Sequence, residues 1–255
     1  MKIDNTVRRK RFSMLIDRYY ETIDQLYAKI KETQRENEIQ AGKMIAESVK
    51  NGGCVHIFDT GHIINSELVE RGGGLMLYKP FKYNLNVEDP VRPRDRSGVN
   101  TSMEGLAAYA LRASGALPGD VMIIGSVSGK TANVIDLAIE AKKFGLKVIA
   151  LTSLSYSSQV KSDHSSGKRL FECADIVLDN CAPAAESMMD VEGLPAKFGA
   201  ASGLAAAFIM WSVTSVVIEE LLAAGIVPSV FKSHNFEGGP EFNLKLREIY
   251  KNTGY

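Results

Sequence analysis

Cysteine is scarce in this chain, and its few copies are not spaced for a metal site or a disulfide framework. The three cysteines, Cys54, Cys173 and Cys181, are an odd number and include no Cys-x-x-Cys pair. Reduced thiols in a cytoplasmic protein fit this pattern better than a disulfide-rich secreted domain or a zinc site. The charged N-terminus also lacks the apolar core of a secretory signal. We therefore expect a cytoplasmic protein without a bound metal.

An excess of positive charge is missing as well. The 30 basic residues are balanced by 30 acidic ones. A nucleic-acid-binding protein usually concentrates a basic excess on one face, and the basic cluster here, residues 8–11, lies at the extreme N-terminus. We therefore expect no nucleic-acid partner.

Long uncharged runs are limited to one segment, Phe198 to Ile218. Its length could span a bilayer, but it is rich in Ala, Gly, Ser and Thr, which favour membrane insertion only weakly. A helix buried on all sides, in the core or in a subunit interface, is the better interpretation. We expect no membrane partner, and a homodimer formed through this helix and the N-terminal helices.

The chain does contain an alternation of short apolar runs with helical patterns. Residues 12–30 and 36–50 carry apolar positions at three- and four-residue steps, which predicts an N-terminal helical hairpin. The predicted strands are residues 54–58, 75–78, 121–124, 147–151 and 175–178, and helices are predicted between them. This order is typical of a three-layer α/β/α sandwich around a five-stranded parallel sheet.

The chain is predicted to form one domain, residues 1–255. It divides into a helical arm at 1–50, an α/β core at 51–225 and a C-terminal arm at 226–255. Within the core, residues 79–101 contain three prolines and many charges. They are predicted to form a loop that becomes ordered on binding, or a dimer arm.

The strongest local signal is the segment Ser126–Thr131, with the sequence Ser-Val-Ser-Gly-Lys-Thr, between a buried strand and a helix. Free backbone N–H groups and the helix dipole favour an anion at that place. The hydroxyls of Ser126, Ser128 and Thr131 add donors, and Gly129 is expected to let the backbone approach the ligand. Helix capping would explain one such hydroxyl but not three.

The Gly-Lys-Thr string invites comparison with a nucleotide-binding P-loop, but the spacing excludes it. That motif needs a glycine five residues before Gly129, where Ile124 stands. A dinucleotide-binding fingerprint is also absent, and we predict no cofactor.

The segment Ser126–Thr131 resembles the Ser-x-Ser-Gly-x-Thr phosphate loop of the sugar isomerase (SIS) domain family. Residues 59–62, Asp-Thr-Gly-His, stand where that family keeps a second glycine-containing loop. More narrowly, the segments 164–168, 179–183 and 233–235 resemble the family's uncharacterised phosphosugar (phosphoheptose-like) isomerase subgroup. The resemblance covers roughly residues 12 to 250 and implies a dimer with shared sites that binds sugar phosphates. It also implies sugar contacts from Thr60, Gly61 and Ser66.

If the protein is an aldose–ketose isomerase, it needs a base that moves a proton between adjacent carbons and an acid that opens the sugar ring. We rank Glu104 before Glu67, because some family isomerases keep a glutamate at a comparable helix start. The simpler interpretations are a favourable first-turn charge for Glu104 and a solvated helix position for Glu67. His62 and His234 are candidate acids, although single histidines are more often structural or exposed. The sequence leaves open two alternatives, an amino-sugar-phosphate lyase or deaminase and a non-catalytic phosphosugar sensor.

Overall fold

The computed structural model describes residues 14–60 and 65–255. Within them the helices are α1 (Leu15–Lys50), α2 (Asn65–Leu68), α3 (Leu106–Ala113), α4 (Ala132–Phe144), α5 (Leu154–Ser157), α6 (Ser202–Ala223) and α7 (Gly239–Thr253). The strands are β1 (Val55–Asp59), β2 (Tyr78–Pro80), β3 (Val121–Gly125), β4 (Lys147–Thr152), β5 (Ile176–Asp179), β6 (Ser187–Met189) and β7 (Phe198–Ala200).

The main sheet confirms the predicted fold class. Five strands pair in the order β2-β1-β3-β4-β5, and every pairing is parallel. One face packs against α1 and α6, and the other against α3 and α4. All five residues of β3 are buried, as expected for a central strand covered on both faces.

The predicted N-terminal hairpin is wrong, because α1 runs without a break from Leu15 to Lys50. The apolar pattern is interrupted after Ile30 by polar residues, which suggested a turn. Two of these residues, Gln34 and Glu38, are nevertheless buried on the helix face that meets the core. The helix contains no proline, and its one glycine, Gly42, allows close packing: a Cβ there would lie 2.5 Å from that of Val216 in α6.

Two further boundaries differ from the sequence prediction. Residues 75–77 are buried, but strand pairing begins only at Tyr78, since Leu75 forms an isolated bridge with Val230. Phe198–Ala200 is not the start of the uncharged helix but forms β7, which pairs antiparallel with β6. An apolar pattern reports burial, and it does not by itself identify the hydrogen-bonding partner.

Helix α6 is long and apolar enough to cross a membrane by length and composition. In this fold it packs along α1, and nine of its residues are buried. It is therefore a core helix along one face and not the helix buried on all sides that the sequence predicted, since Leu204 and Leu222 remain exposed.

Candidate functional site

The candidate site lies at the carboxyl ends of β1 and β3. The chain leaves β1 towards β2 on one side and continues to β3 on the other, so the strand order reverses between these two strands. Ligands of open parallel sheets bind at such a point. Thr60 follows β1 there, and the loop Ser126–Thr131 joins β3 to α4.

The carbonyl groups of this loop are turned into the protein. Three of them accept hydrogen bonds from the segments that follow β4. The bonds are Ser153 N–H to Val127 O (3.0 Å), Leu170 N–H to Gly129 O (2.8 Å) and Asp163 N–H to Lys130 O (2.9 Å). These bonds hold the loop in place from one side, and the N–H groups of the loop face the other side.

The N–H groups of residues 127–131 have no acceptor among the described residues. They precede the first turn of α4, whose dipole places partial positive charge at the same end. Successive free amides at a helix N-terminus form a concave anion site. This arrangement could hold an anion.

The hydroxyl of Thr131 supports the same conclusion. Thr131 is the N-cap residue of α4, but its side chain makes no capping hydrogen bond. Its Oγ1 is buried and has no partner among the described residues. A buried hydroxyl without a partner is costly, so helix capping does not explain this residue and a bound ligand would.

Gly129 is needed for a reason other than the one that the sequence suggested. Its φ of +57° lies in the left-handed region. A Cβ there would point into the protein, 3.0 Å from Leu170 Cβ, 3.1 Å from Ser157 Oγ and 3.2 Å from Thr152 Oγ1. The glycine thus shapes the loop against its support and does not make room for the ligand.

The loop borders a cavity of about 330 Å³. Its walls include three of the predicted phosphate-binding residues and the predicted sugar-contacting Thr60. The lining residues are Thr60, Ser126, Val127, Ser128, Thr131, Asn133, Tyr156 and Glu186. The fold therefore joins the loops after β1 and β3, which are far apart in sequence.

A second cavity, of about 720 Å³, lies next to the first, and Glu186 lines both. It contains the predicted residues Ser66 and Glu67. Its opposite wall is aromatic: Tyr27 stacks on Phe208 with ring centroids 4.7 Å apart, and Trp211 lies beside them. The two cavities are therefore neighbours at Glu186, the first lined by the loop and the second by an apolar wall.

Glu186 is a site residue that the sequence analysis missed. It precedes β6 with a φ of +69°, next to Ala185 at +62°. Such strained positions are often found at functional sites. Its Oε2 accepts a hydrogen bond from Ser202 Oγ at the start of α6 (2.9 Å). No motif surrounds Glu186, so only the folded chain reveals it.

Glu67 and Glu104 occupy different places. Glu67 forms an ion pair with Arg71 (2.8 Å) at the edge of the second cavity. Glu104 lines a separate cavity of about 390 Å³, where it accepts hydrogen bonds from the Ser165 hydroxyl and N–H. These bonds lower the pKa of Glu104. His164 Nε2 lies 3.7 Å from its Oε2.

The remaining predicted residues are not brought to these cavities by the described part of the chain. His234 is exposed in the turn before α7 and lines none of the cavities above. Glu70, three residues after Glu67, pairs with Arg247 (3.0 Å). Gly61 and His62 lie outside the described residues.

Comparison with known proteins places the chain among related sequences. Residues 18–153 match the family model described as the SIS domain. The UPF0309 protein of Shouchella clausii is 36% identical over 244 residues, which cover 92% of this chain and 96% of the relative. The UPF0309 protein of Oceanobacillus iheyensis is 34% identical over 238 residues, with coverages of 91% and 95%.

A similar solved structure is that of a phosphoheptose isomerase from Francisella tularensis. It has a TM-score of 0.50 and 20% sequence identity, and the match covers 80% of this chain and 96% of that chain. At this identity the likeness shows a shared fold.

Proposed function

The chain belongs to the SIS domain family, and from this premise we propose that it binds a phosphosugar with the phosphate group on the loop Ser126–Thr131. The observation that carries this proposal is the row of N–H groups at residues 127–131 without an acceptor in the described part of the chain, above carbonyls that other segments fix. A phosphate group presents three acceptor oxygens, which suit several amides and hydroxyls at once. The buried, unpartnered hydroxyl of Thr131 fits the same ligand.

The sugar would extend from the loop past Glu186 into the second cavity. Glu186 borders both cavities, so a ligand that reaches from one to the other passes its carboxylate. The hydroxyls of Ser66 and Ser202 offer hydrogen bonds there, and the aromatic wall suits the apolar face of a sugar. Thr60 would contact the sugar near the phosphate.

The proposed reaction is aldose–ketose isomerisation. A base removes the proton alpha to the carbonyl while the carbonyl oxygen gains a proton; the resulting enediol takes up a proton at the former carbonyl carbon and loses the proton of its other hydroxyl. Glu186 and Glu67 are the carboxylates beside the proposed sugar position. Glu104, ranked first from the sequence, would have to leave Ser165 before it could act. His62 or His234 would assist ring opening.

A phosphosugar sensor without turnover is the second candidate. It is favoured by the ion pair between Glu67 and Arg71 and by the lack of a histidine among the described residues that line the two cavities. An amino-sugar-phosphate lyase or deaminase would use the same phosphate site and a carboxylate at the same place.

Calorimetry with hexose, pentose and amino-sugar phosphates tests the binding proposal. Ser128→Ala should weaken the best ligand by about 1.5–3 kcal/mol, because it removes a hydrogen bond to a charged group. Lys245→Gln, on the exposed side of α7, is the control. Unchanged affinity in Ser128→Ala would refute the loop assignment.

Solvent-deuterium incorporation into the bound sugar phosphate tests the reaction. Enolisation exchanges the proton alpha to the carbonyl. We expect exchange to be lost in Glu186→Gln or Glu67→Gln while phosphate binding remains. Loss in Glu104→Gln alone would restore the order inferred from the sequence. Binding without exchange or turnover would favour the sensor.

We also propose that the protein is a cytoplasmic homodimer. Apolar side chains remain exposed on α1 and α6, and they include Leu15, Ile16, Leu204 and Leu222. Both helices contribute to the wall of the second cavity through Tyr27 and Phe208. A second copy that covers this face would therefore also enclose the proposed sugar position.

A further inference from the structure

The proposed phosphate site lacks a counter-charge among the described residues. The cavity at the loop is lined by hydroxyl, amide and apolar groups and by one carboxylate, that of Glu186. A phosphate monoester carries close to two negative charges at neutral pH. Lys130, the cation within the loop, is directed away, because its Nζ pairs with Asp163 at 3.0 Å. The site therefore leaves most of the ligand's charge uncompensated.

Three arginines lie on the segment of residues 84–103, which we call the arginine arm and which also carries Glu88, Asp89 and Asp95. All twenty residues are exposed, and none belongs to a helix or strand. Arg92, Arg94 and Arg96 alternate along it, and none of the three forms an ion pair with a described residue. In an extended chain, alternate residues point to the same side. The arm can thus present three guanidinium groups together.

The chain is attached close to the phosphate loop directly after the arm. The N–H of Gly105 donates to both carboxylate oxygens of Asp136, each at 3.0 Å. Asp136 lies in α4, five residues after Thr131, or about 7.5 Å along the helix axis. Gly105 lies nine positions after Arg96, and although the chain turns at Arg96, where Val99 N–H donates to Arg96 O (3.1 Å), a chain of nine positions would span up to about 30 Å if it extended. The arginines can therefore reach the phosphate loop of their own chain.

Glu104 adds a second attachment at the same point. Its carboxylate binds Ser165, in the segment that also contains Asp163, the donor to the Lys130 carbonyl. The two residues that follow the arm are thus tied to α4 and to the segment that holds the Lys130 carbonyl. This anchoring gives Glu104 a use that does not require contact with the sugar.

We propose that the arginine arm closes over the phosphate loop of the same chain, where Arg92, Arg94 and Arg96 bind and neutralise the sugar phosphate. This inference rests on the proposed function. Guanidinium groups suit phosphate because they donate two parallel hydrogen bonds as well as charge. The arginines would therefore set the preference for phosphorylated over neutral sugars.

The test is calorimetry of the full-length protein with inorganic phosphate and with fructose 6-phosphate, at two salt concentrations. The triple substitution R92Q/R94Q/R96Q should weaken both probes about 10- to 100-fold and flatten the salt dependence. The corresponding lysine variant should retain part of the affinity. Glu88→Gln in the arm and Arg35→Gln on exposed α1 are matched controls, and neither should weaken binding. The thermal midpoint should not change, since these side chains are exposed.

The outcomes separate this inference from the proposed function. If Ser128→Ala weakens the probes and the triple variant does not, the arm proposal is overturned and the phosphate loop stands. If neither variant matters, or wild type binds neither probe, both proposals fall. A mixture of Ser128→Ala chains with triple-variant chains should not regain tight sites. Recovered tight binding in that mixture would show that the arm serves a second copy, and it would overturn the same-chain assignment.

Discussion

The hydroxyl of Thr131 offers a sharp test of whether the loop is built for a ligand or for the fold. In Thr131→Val the shape of the side chain is kept and the hydroxyl is lost. Because Oγ1 is buried and has no partner among the described residues, the free protein loses no hydrogen bond. A buried hydroxyl without a partner lowers the free energy of unfolding by about 1–3 kcal/mol, and its removal recovers part of that cost. We therefore expect the free energy of unfolding to stay level or to rise by about 1 kcal/mol.

Thr152→Val is the matched control. The hydroxyl of Thr152 is fully buried and donates to Val127 O at 3.0 Å, so it supports the loop from behind. Its loss should lower the free energy of unfolding by about 1–2 kcal/mol. The assay is urea unfolding of both variants without ligand, followed by calorimetry with inorganic phosphate.

The two variants should separate phosphate affinity from stability. Thr131→Val should bind phosphate about 10-fold more weakly or worse while it remains as stable as wild type. Destabilisation of Thr131→Val to the extent seen in Thr152→Val would show that the hydroxyl serves the fold. Full retention of phosphate affinity would refute the ligand role directly.

Two further predictions concern stability and assembly. Burial raises the pKa of Glu38 to about 7, so its stabilising contribution is complete below about pH 4.5 and is lost as the pH rises towards 7. The change of the pKa from 4.5 to about 7 corresponds to a loss of at most about 3 kcal/mol in the free energy of unfolding. Urea unfolding at several pH values should show that Glu38→Gln removes this pH dependence and that Glu36→Gln keeps it. Equal pH profiles for the two variants would contradict the assignment to Glu38. For the proposed dimer, sedimentation at micromolar concentration should give two chains, and Leu204→Glu should give one; a wild-type monomer would exclude the dimer.

Much of the fold was predictable from local pattern. The strands β1, β3, β4 and β5 were found within one or two residues, because a covered parallel strand is a short, continuous apolar run. The pattern failed in the middle of α1, where polar residues occupy the buried face. It failed again at the edge strand β2, where burial and pairing begin at different residues. In both places the neighbouring elements decide, and a local window does not contain them.

The phosphate loop shows how a site can be visible in sequence for partly the wrong reason. The spacing of Ser126, Ser128 and Thr131 predicted an anion site, and the structure places all three on one cavity. Gly129 was expected to face the ligand, yet it packs against the loop's support. The spacing of polar residues in a short loop indicates which side chains can line the same cavity. It does not report which side of the backbone the rest of the chain will occupy.

The sequence by itself determined the strands and helices of the parallel α/β architecture and the position of the loop Ser126–Thr131 between a buried strand and a helix, because each depends on residues within one continuous segment. Only the tertiary structure decided which carboxylates share a cavity. Glu67 and Glu186 lie 119 residues apart and line one cavity, whereas Glu104 is drawn to Ser165 in another. The reason is physical: side chains that share a cavity come from segments that follow different strands, and the order of those strands in the sheet is set by packing across the whole chain.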